Sequence, residues 1–407
     1  ASLHDRERLF HHLRAYLMLG MHERRDRQWL QERMAEHWSQ RFAGNTPMQA
    51  SLNAHFGRLL EQPFRPYALD TRLISDARRE LRRESLASVL YRTLVEQSGS
   101  LPEYRLINHL GPRGALLTSN QNTLPGFYTR SGYQQMFLAR GNDLVQDMLR
   151  DNWVLGGDDE LSSQDRNRLM LEMEQLYFED YAHHWGELLG RIALDPLPDA
   201  QQAAQNMSIL AAANSPLVKL LEQVRNNTLL TDDTATPNRA MRSMERRFEP
   251  LHQLLDQDAS PGPELLQALQ ALDAMHLQFS GLAQASAPGQ AAFDMARSRI
   301  GGQADAITQL RTAAARLPLP ASKWLTELAG DSWMLVLDEA YKHLNQRYRS
   351  ELLASWRNSV GQRYPFSRDS ESEVTLSDFR EFFRSRGTAE QFLEQYLQPC
   401  VSSSARG

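Results

Sequence analysis

The stretch SQDRNRLMLEMEQLYFEDYAHHWGELLGRI, residues 163–192, repeats its large apolar side chains every three or four positions, at Leu169, Met173, Leu176, Tyr177, Tyr181, Trp185, Leu188 and Ile192. A helix completes a turn in about 3.6 residues, so that period gathers all eight on one face; a strand would need strict alternation instead. A stripe so rich in aromatics is stable only when packed against neighbours, which predicts one helix among several. A second stripe of the same kind is expected from about Asp331 to Val360, through Trp333, Leu337, Tyr341, Leu344, Tyr348, Leu352 and Trp356.

Outward from these two stripes, Ser or Thr before Pro marks helix starts. The hydroxyl can cap the first turn, and proline needs no N–H there. Thr46-Pro47, Ser215-Pro216, Thr236-Pro237 and Ser260-Pro261 fit this pattern. Helical spacing follows the first, at Leu52, Phe56, Leu59 and Leu60, and the last, at Leu265, Leu269, Leu272, Met275 and Phe279. Turn-rich stretches such as GGDDELSS (156–163), DPLPDAQ (195–201) and LPLPAS (317–322) separate the helices at distances that suit antiparallel packing on short loops.

One region, LPEYRLINHLGPRGALLTSNQNTLPGFYTRSGY (101–133), resists a helical reading because of its Gly, Pro and Asn content. The expected fold class is therefore all-α: a multi-helix array of antiparallel helices in two or more subdomains, with one irregular or hairpin-like region. A chain of 407 residues has room for more than one core. Boundaries are expected at 1–105 for an N-terminal helical subdomain, 106–156 for the irregular junction plus a helix, 157–362 for the main bundle, 363–400 for a terminal aromatic clasp and 401–407 for a disordered tail.

Composition narrows the function classes. Lys and Arg number 45 against 50 Asp and Glu, a net charge of -5 with the signs interleaved, which argues against a nucleic-acid or anionic-membrane surface. Lys219, Lys323 and Lys342 are the only lysines, and the arginines suit carboxylate pairing between helices. A single cysteine, Cys400, excludes an intrachain disulfide framework and any Cys-rich metal site. No apolar run approaches the roughly 18–20 residues that span a bilayer, so direct membrane insertion by this stretch is not expected. The opening ASLHDRERLF carries charges where a signal peptide would have its apolar centre.

Candidate chemistry is sparse. Asp180-x-x-His183 and Asp273-x-x-His276 put an acid and a histidine on one helical face, but bundle metal sites use Glu in that motif together with further inward carboxylates. Surface or packing histidines are the expected reading. His11, His12 and His22 form no HExxH, and Gly111-Pro112-Arg113-Gly114 lacks the Lys-Ser/Thr ending of a phosphate loop, so a turn is expected there. No G-x-S-x-G elbow occurs. ARRELRRES (77–85) is expected to be a solvated face laced with short-range ion pairs. These readings assign no catalytic, cofactor or metal residue, and an enzyme is not expected.

The C-terminal stretch YPFSRDSESEVTLSDFREFF (364–383) is organised differently. Pro365 should break the long helix ending near Val360, and the acidic serine run should keep the connection in solvent. Ser377 is expected to cap a short helix whose positive end Asp378 favours, with Phe379, Phe382 and Phe383 on one face and Gly387 at its end. Thr388-x-x-Gln391 reads as a capping box for a last helix through Phe392 and Tyr396, closed by Pro399. These aromatics either dock on the chain's own bundle or form an interface with another domain.

YPF, a short polar insert, an acidic residue before F-x-x-F-F, and then G-T and Q-F closely resemble the signature of the IcmF-related TssM proteins of type VI secretion systems. LPGFYTRSGY (124–133), LYFEDYAHHWGELLGRIAL (176–194), NSPLVKLLEQVRNNTLL (214–230) and WLTELAGDSW (324–333) resemble further family blocks in the same order. The RSRG around Gly387 departs from the more usual Pro-Gly-Gly, and Cys400 stands where an aromatic is common. The resemblance implies the periplasmic part of an inner-membrane-anchored protein of a Gram-negative bacterium. It implies a scaffold of the secretion membrane complex, a pillar that self-associates, works with TssL and reaches the outer-membrane lipoprotein TssJ through a β-rich domain not contained in this chain. Tyr364, Pro365, Phe366, Asp378, Phe379, Phe382, Phe383, Gly387 and Phe392 are the motif and interface candidates it singles out. A helical metal-dependent enzyme and a periplasmic module binding peptide or cell-wall material are the alternatives.

Overall fold

The computed structural model describes residues 3–62, 65–117, 121–157, 163–231 and 238–400. Helices carry the fold, and the only strands among the described residues are the short pair Tyr104–Arg105 and Thr123–Leu124. The chain is thus all-α, with its irregular region where the glycines and prolines cluster. The cap expected at Thr236-Pro237, most of GGDDELSS and the tail at 401–407 lie outside the described residues. Two compact units are present, each assembled from segments distant in sequence.

The first unit comprises Ala1–Tyr104, Pro125–His184 and Thr231–Met244. Side-chain caps start its helices: Asp26 accepts from Trp29 N at 3.0 Å, and Asp70 accepts from Arg72 N at 2.8 Å and Leu73 N at 3.1 Å. Asn45, one residue before the expected Thr46, caps Thr46–Glu61 by accepting from Met48 N at 3.2 Å, and Pro47 sits inside the first turn. Leu13, Leu17, Ile74, Leu81, Val154 and Leu155 share one buried cluster, and Met18, Leu30 and Leu60 another.

The arginine-rich stretch 77–85 is only partly the solvated face expected. Arg79 and Arg83 pair with Asp76 and Glu80 one turn back. Arg78 instead donates to the carbonyls of Val154 at 2.9 Å and Trp153 at 3.3 Å, and Arg82 donates to the Leu155 carbonyl. The tight helical turn Asn152–Leu155 ends on the Val154 and Leu155 carbonyls, which the guanidinium forks satisfy, while the Trp153 carbonyl also accepts from Gly156 N at 3.0 Å.

The deepest packing in this unit joins two stretches some fifty residues apart. Tyr177, Phe178 and Tyr181 come from the helix Ser163–Gly190; Phe127, Tyr128, Tyr133 and Phe137 come from 127–137; all are buried. Tyr177 stacks on Phe137 at 4.3 Å, meets Phe127 edge-on at 4.9 Å and donates its hydroxyl to the Phe127 carbonyl at 2.7 Å. LPGFYTRSGY is shaped to allow this. An added Cβ at Gly126 would collide with the Pro102 carbonyl, and one at Gly132 would lie 2.5 Å from the Phe127 carbonyl. Thr129 closes the turn by accepting from Gly132 N at 3.1 Å.

The second unit comprises Arg105–Leu124, Trp185–Leu230 and Glu245–Gly407. Pro263–Gln284 packs between Ala200–Ala211 and Ala306–Ala314, and Pro288–Ile300 packs along Ala321–Arg347. Ser215 caps Pro216–Thr228 as expected, accepting from Val218 N at 3.2 Å. Ser260 does not cap. Pro261 pairs with Leu255 in an isolated bridge, and the helix begins at Pro263 with Gly262 before it. A buried clip fastens the end of Pro216–Thr228: the Thr228 hydroxyl lies 2.7 Å from His252 Nε2, and Glu245 accepts from Leu230 N at 2.5 Å. Burial, with the nearby Arg225 charge, pushes the His252 pKa down to about 4.

The stripe expected from 331 to 360 is rotated. The buried positions of Ala321–Arg347 are Ala321, Trp324, Leu325, Leu328, Ala329, Ser332, Leu335, Val336 and Ala340, so the one buried aromatic precedes the expected stripe, while Tyr341 and Tyr348 are exposed. The cause is close helix approach: a Cβ at Gly289 would lie 3.0 Å from His343 Cβ, and Ala292 and Ala296 are buried on the same facing helix. Small side chains occupy that crossing and displace the aromatics to its flanks, where Trp333 carries the Arg299 guanidinium 5.0 Å from its ring centre.

Candidate interface site

The helical path that starts at Ala321 runs on through π-helical turns at Tyr348–Leu353 and Arg357–Gly361, ten residues longer at its start than the periodicity predicts. Steric demand from Pro365 keeps Tyr364 out of helical geometry. Tyr364 instead donates its N–H to the Ser372 carbonyl at 2.8 Å and accepts from Val374 N at 3.0 Å, which closes the exposed serine-rich loop.

The chain leaves that bridge extended, so Thr375 and not Ser377 becomes the cap of Leu376–Phe383, accepting from Asp378 N at 3.1 Å. Asp378 also receives Arg363 Nη1 at 2.6 Å. The pair ties the first turn of the short helix to the residue just past the long one, with the carboxylate at the positive end of the helix. Gly387 does not end this helix, which stops at Phe383; it precedes Thr388–Phe392. A Cβ there would come within 2.6 Å of the Glu381 carbonyl, 2.8 Å of Arg384 O and 2.9 Å of Phe382 O, so only glycine fits. The capping box expected from Thr388 and Gln391 is absent, and the Glu390 carboxylate accepts from the N–H of Arg386, which holds a left-handed φ of 61°.

The nine candidates are brought together as one clasp but divide into two sets. Phe382 is buried with its ring 5.4 Å from Trp356. Phe392 and Tyr396 are buried together at 4.9 Å, Tyr396 against Phe293 and Phe392 against Tyr348. Tyr364, Phe366, Phe379 and Phe383 remain 52%, 43%, 41% and 46% exposed. Phe366 stacks on both Phe379 and Phe383 at 6.3 Å, and Phe379 and Phe383 touch at 4.8 Å, giving a continuous exposed aromatic face with Leu376 beside it. Sequence reasoning missed Arg363, Trp356 and Thr375. Trp356 lies on the long helix's last turns and Arg363 just past them, and the fact that Trp356 falls eight residues before YPF was the available signal.

The other candidates are not assembled into a centre. Asp180 accepts from the Tyr91 hydroxyl at 2.6 Å, and Tyr91 lies 3.1 Å from the Tyr128 hydroxyl. His276 Nδ1 lies 2.9 Å from the Ala204 carbonyl, which makes that nitrogen a donor. His11 packs edge-on against Trp29, and burial lowers its pKa. Among the described residues no three or more His, Cys, Asp or Glu side chains are grouped to hold a metal ion.

The IcmF-related family, described as intracellular multiplication and human macrophage-killing, matches residues 1–229, more than half of the chain. The helical domain of the type VI secretion protein IcmF matches residues 339–405, a span that contains the whole clasp. The type VI secretion system component TssM1 of Pseudomonas aeruginosa is 26% identical over 444 residues, covering 98% of this chain and 40% of that protein. The chain therefore spans 40% of this relative's length. A chain of a solved type VI secretion system membrane core complex superimposes with a TM-score of 0.59 at 19% identity, covering 79% of this chain and 64% of that one, a likeness of fold.

Proposed function

The chain belongs to the IcmF-related family, and from that membership we propose that it is a non-enzymatic scaffold of a type VI secretion membrane complex. In this reading it is a periplasmic pillar between an inner-membrane anchor and a TssJ-type outer-membrane lipoprotein, working with TssL and with further copies of itself. The similarity to TssM1 and the fold shared with a chain of a membrane core complex support the assignment. No described helix is long and apolar enough to cross a membrane.

One observation carries the reading: the clasp buries Phe382 and Phe392 as anchors while holding Phe366, Phe379 and Phe383 half exposed in one face, with Tyr364 also exposed. Aromatic faces of this kind are enriched at protein interfaces, where they supply large contact area at small entropic cost. The test is the affinity of this chain for a TssJ-type lipoprotein, measured with and without the β-rich domain. Binding only with that domain restored makes this part a spacer and assembly scaffold. Binding by the chain alone moves the lipoprotein contact into the helical array, and loss of all membrane-complex association with and without the domain would sink the proposal.

A further inference from the structure

Lys219 and Arg113 differ from those cations of the second unit that are tied into the fold. Arg225 donates to the carbonyls of Leu255 and Asp256, Arg191 to that of Thr123, Arg299 pairs with Asp305 and Arg363 with Asp378. Among the described residues, the side chains of Lys219 and Arg113 have no such partner. Both line one groove of about 430 Å³, whose walls include Leu110, Pro112, Ile209 and Pro216. Gly111 holds a left-handed φ of 79°, and an added Cβ there would meet Lys219 Nζ at 2.7 Å, so the ammonium lies against bare backbone at the groove.

The chemistry of the walls selects the anion. Phosphate sites at helix starts rely on several free backbone N–H groups. Here Pro112 and Pro216 have none, Val218 N and Lys219 N are taken by Ser215, and Gly114 N is taken by the Gly111 carbonyl. Two side-chain cations beside an aliphatic wall suit a carboxylate carried on a small apolar group, the cations fixing the charge and the wall taking the rest. We propose that this groove binds the terminal carboxylate of a short apolar peptide segment, with Arg113 and Lys219 holding the carboxylate and Leu110, Ile209 and Pro216 contacting the adjoining side chain. The site is separate from the aromatic clasp, and its test does not depend on the scaffold assignment.

The experiment titrates the whole chain with N-acetyl-alanyl-alanine, with its C-terminal amide and with inorganic phosphate, read by ligand-observed NMR. The free acid should bind saturably, and the amide about tenfold or more weaker, as expected for losing a charge-assisted contact. R113Q and K219M should each weaken the acid about tenfold, while K219R restores most of it. Thermal unfolding of each variant reports folding separately; if K219M fails to fold, R113Q and K219R carry the test. No saturable binding of the acid, equal binding of the amide, or unchanged affinity in the charge-removing variants would overturn the proposal. So would displacement of the peptide by equimolar phosphate, which would make the groove an inorganic-anion site.

Discussion

Two aromatic clusters in this chain are built from the same residue types and end in opposite states. In the first unit, Phe127, Tyr128, Tyr133, Phe137, Tyr177, Phe178 and Tyr181 are all buried, and the Tyr177 hydroxyl is satisfied by a backbone carbonyl. In the terminal clasp, Phe366, Phe379 and Phe383 stay exposed by more than two fifths although each touches another ring. The difference lies in what surrounds them. A helix Ser163–Gly190 and a glycine-permitted turn close on the first cluster from two sides, whereas the eight-residue helix Leu376–Phe383 has one buried position, Phe382, and leaves its remaining rings half exposed. Aromatic density in a sequence therefore marks packing; burial is decided by how many elements converge.

The sharpest way to break this comparison is Tyr177→Ala. It empties the centre of the first cluster and leaves the Phe127 carbonyl without its donor, so chemical denaturation should report a loss of about 3–5 kcal/mol. A loss under about 1 kcal/mol would mean that the cluster is not a core. Phe382→Ala is expected to cost about 3 kcal/mol, confined to the clasp and read as faster hydrogen exchange across 376–397. Equal effects on the first unit would contradict the separation of the two clusters.

A pH series separates His252 of the second unit from Glu174 of the first by sign. The folded-state pKa of His252 is depressed to about 4, below its unfolded value near 6.5. Its clip therefore gives full stability above pH 6.5 and loses it as pH falls through 4, a change on the order of 3 kcal/mol. Glu174 in the first unit has its carboxyl pushed up by burial, so its contribution is present at low pH and is lost as pH rises through the raised value. Acidification from pH 7 should accordingly loosen the second unit first, seen as earlier exchange of the amides around Thr228 and Leu230. His252→Phe should flatten that dependence. The smallest stability effect is expected from Phe366→Ser with Phe379→Ser and Phe383→Ser, each about 1–1.5 kcal/mol because these rings are only about half covered. A large loss would reassign them as core.

Much of this was legible in the sequence, for identifiable reasons. The stripe of Ser163–Gly190 was readable because its buried positions are its largest side chains, from Leu169 and Met173 to Trp185 and Leu188. The same rule misplaced the face of Ala321–Arg347, where a close crossing buries Ala329, Ser332 and Ala340 and leaves Tyr341 outside. Volume-based reading favours large residues, and tight packing can favour small ones. The clasp's two short helices and their aromatic positions followed from local spacing. Which rings are covered did not, because Trp356 and Phe293 arrive from other helices and periodicity within one element says nothing of its neighbours. The caps slipped by one or two residues, from Thr46 to Asn45 and from Ser377 to Thr375, since several neighbouring side chains could accept the same N–H and the preceding backbone chose among them.

The central claim is that the exposed face of the clasp is an interface and the buried cluster of the first unit is not. Hydroxyl-radical footprinting tests it most directly, by comparing the chain alone with the same chain in membrane complexes isolated from cells. Labelling of Phe366, Phe379 and Phe383 should be high in the free chain and fall strongly in the complex, with Tyr177 and Phe127 unlabelled in both. Equal labelling of the three phenylalanines in the two samples would contradict the claim.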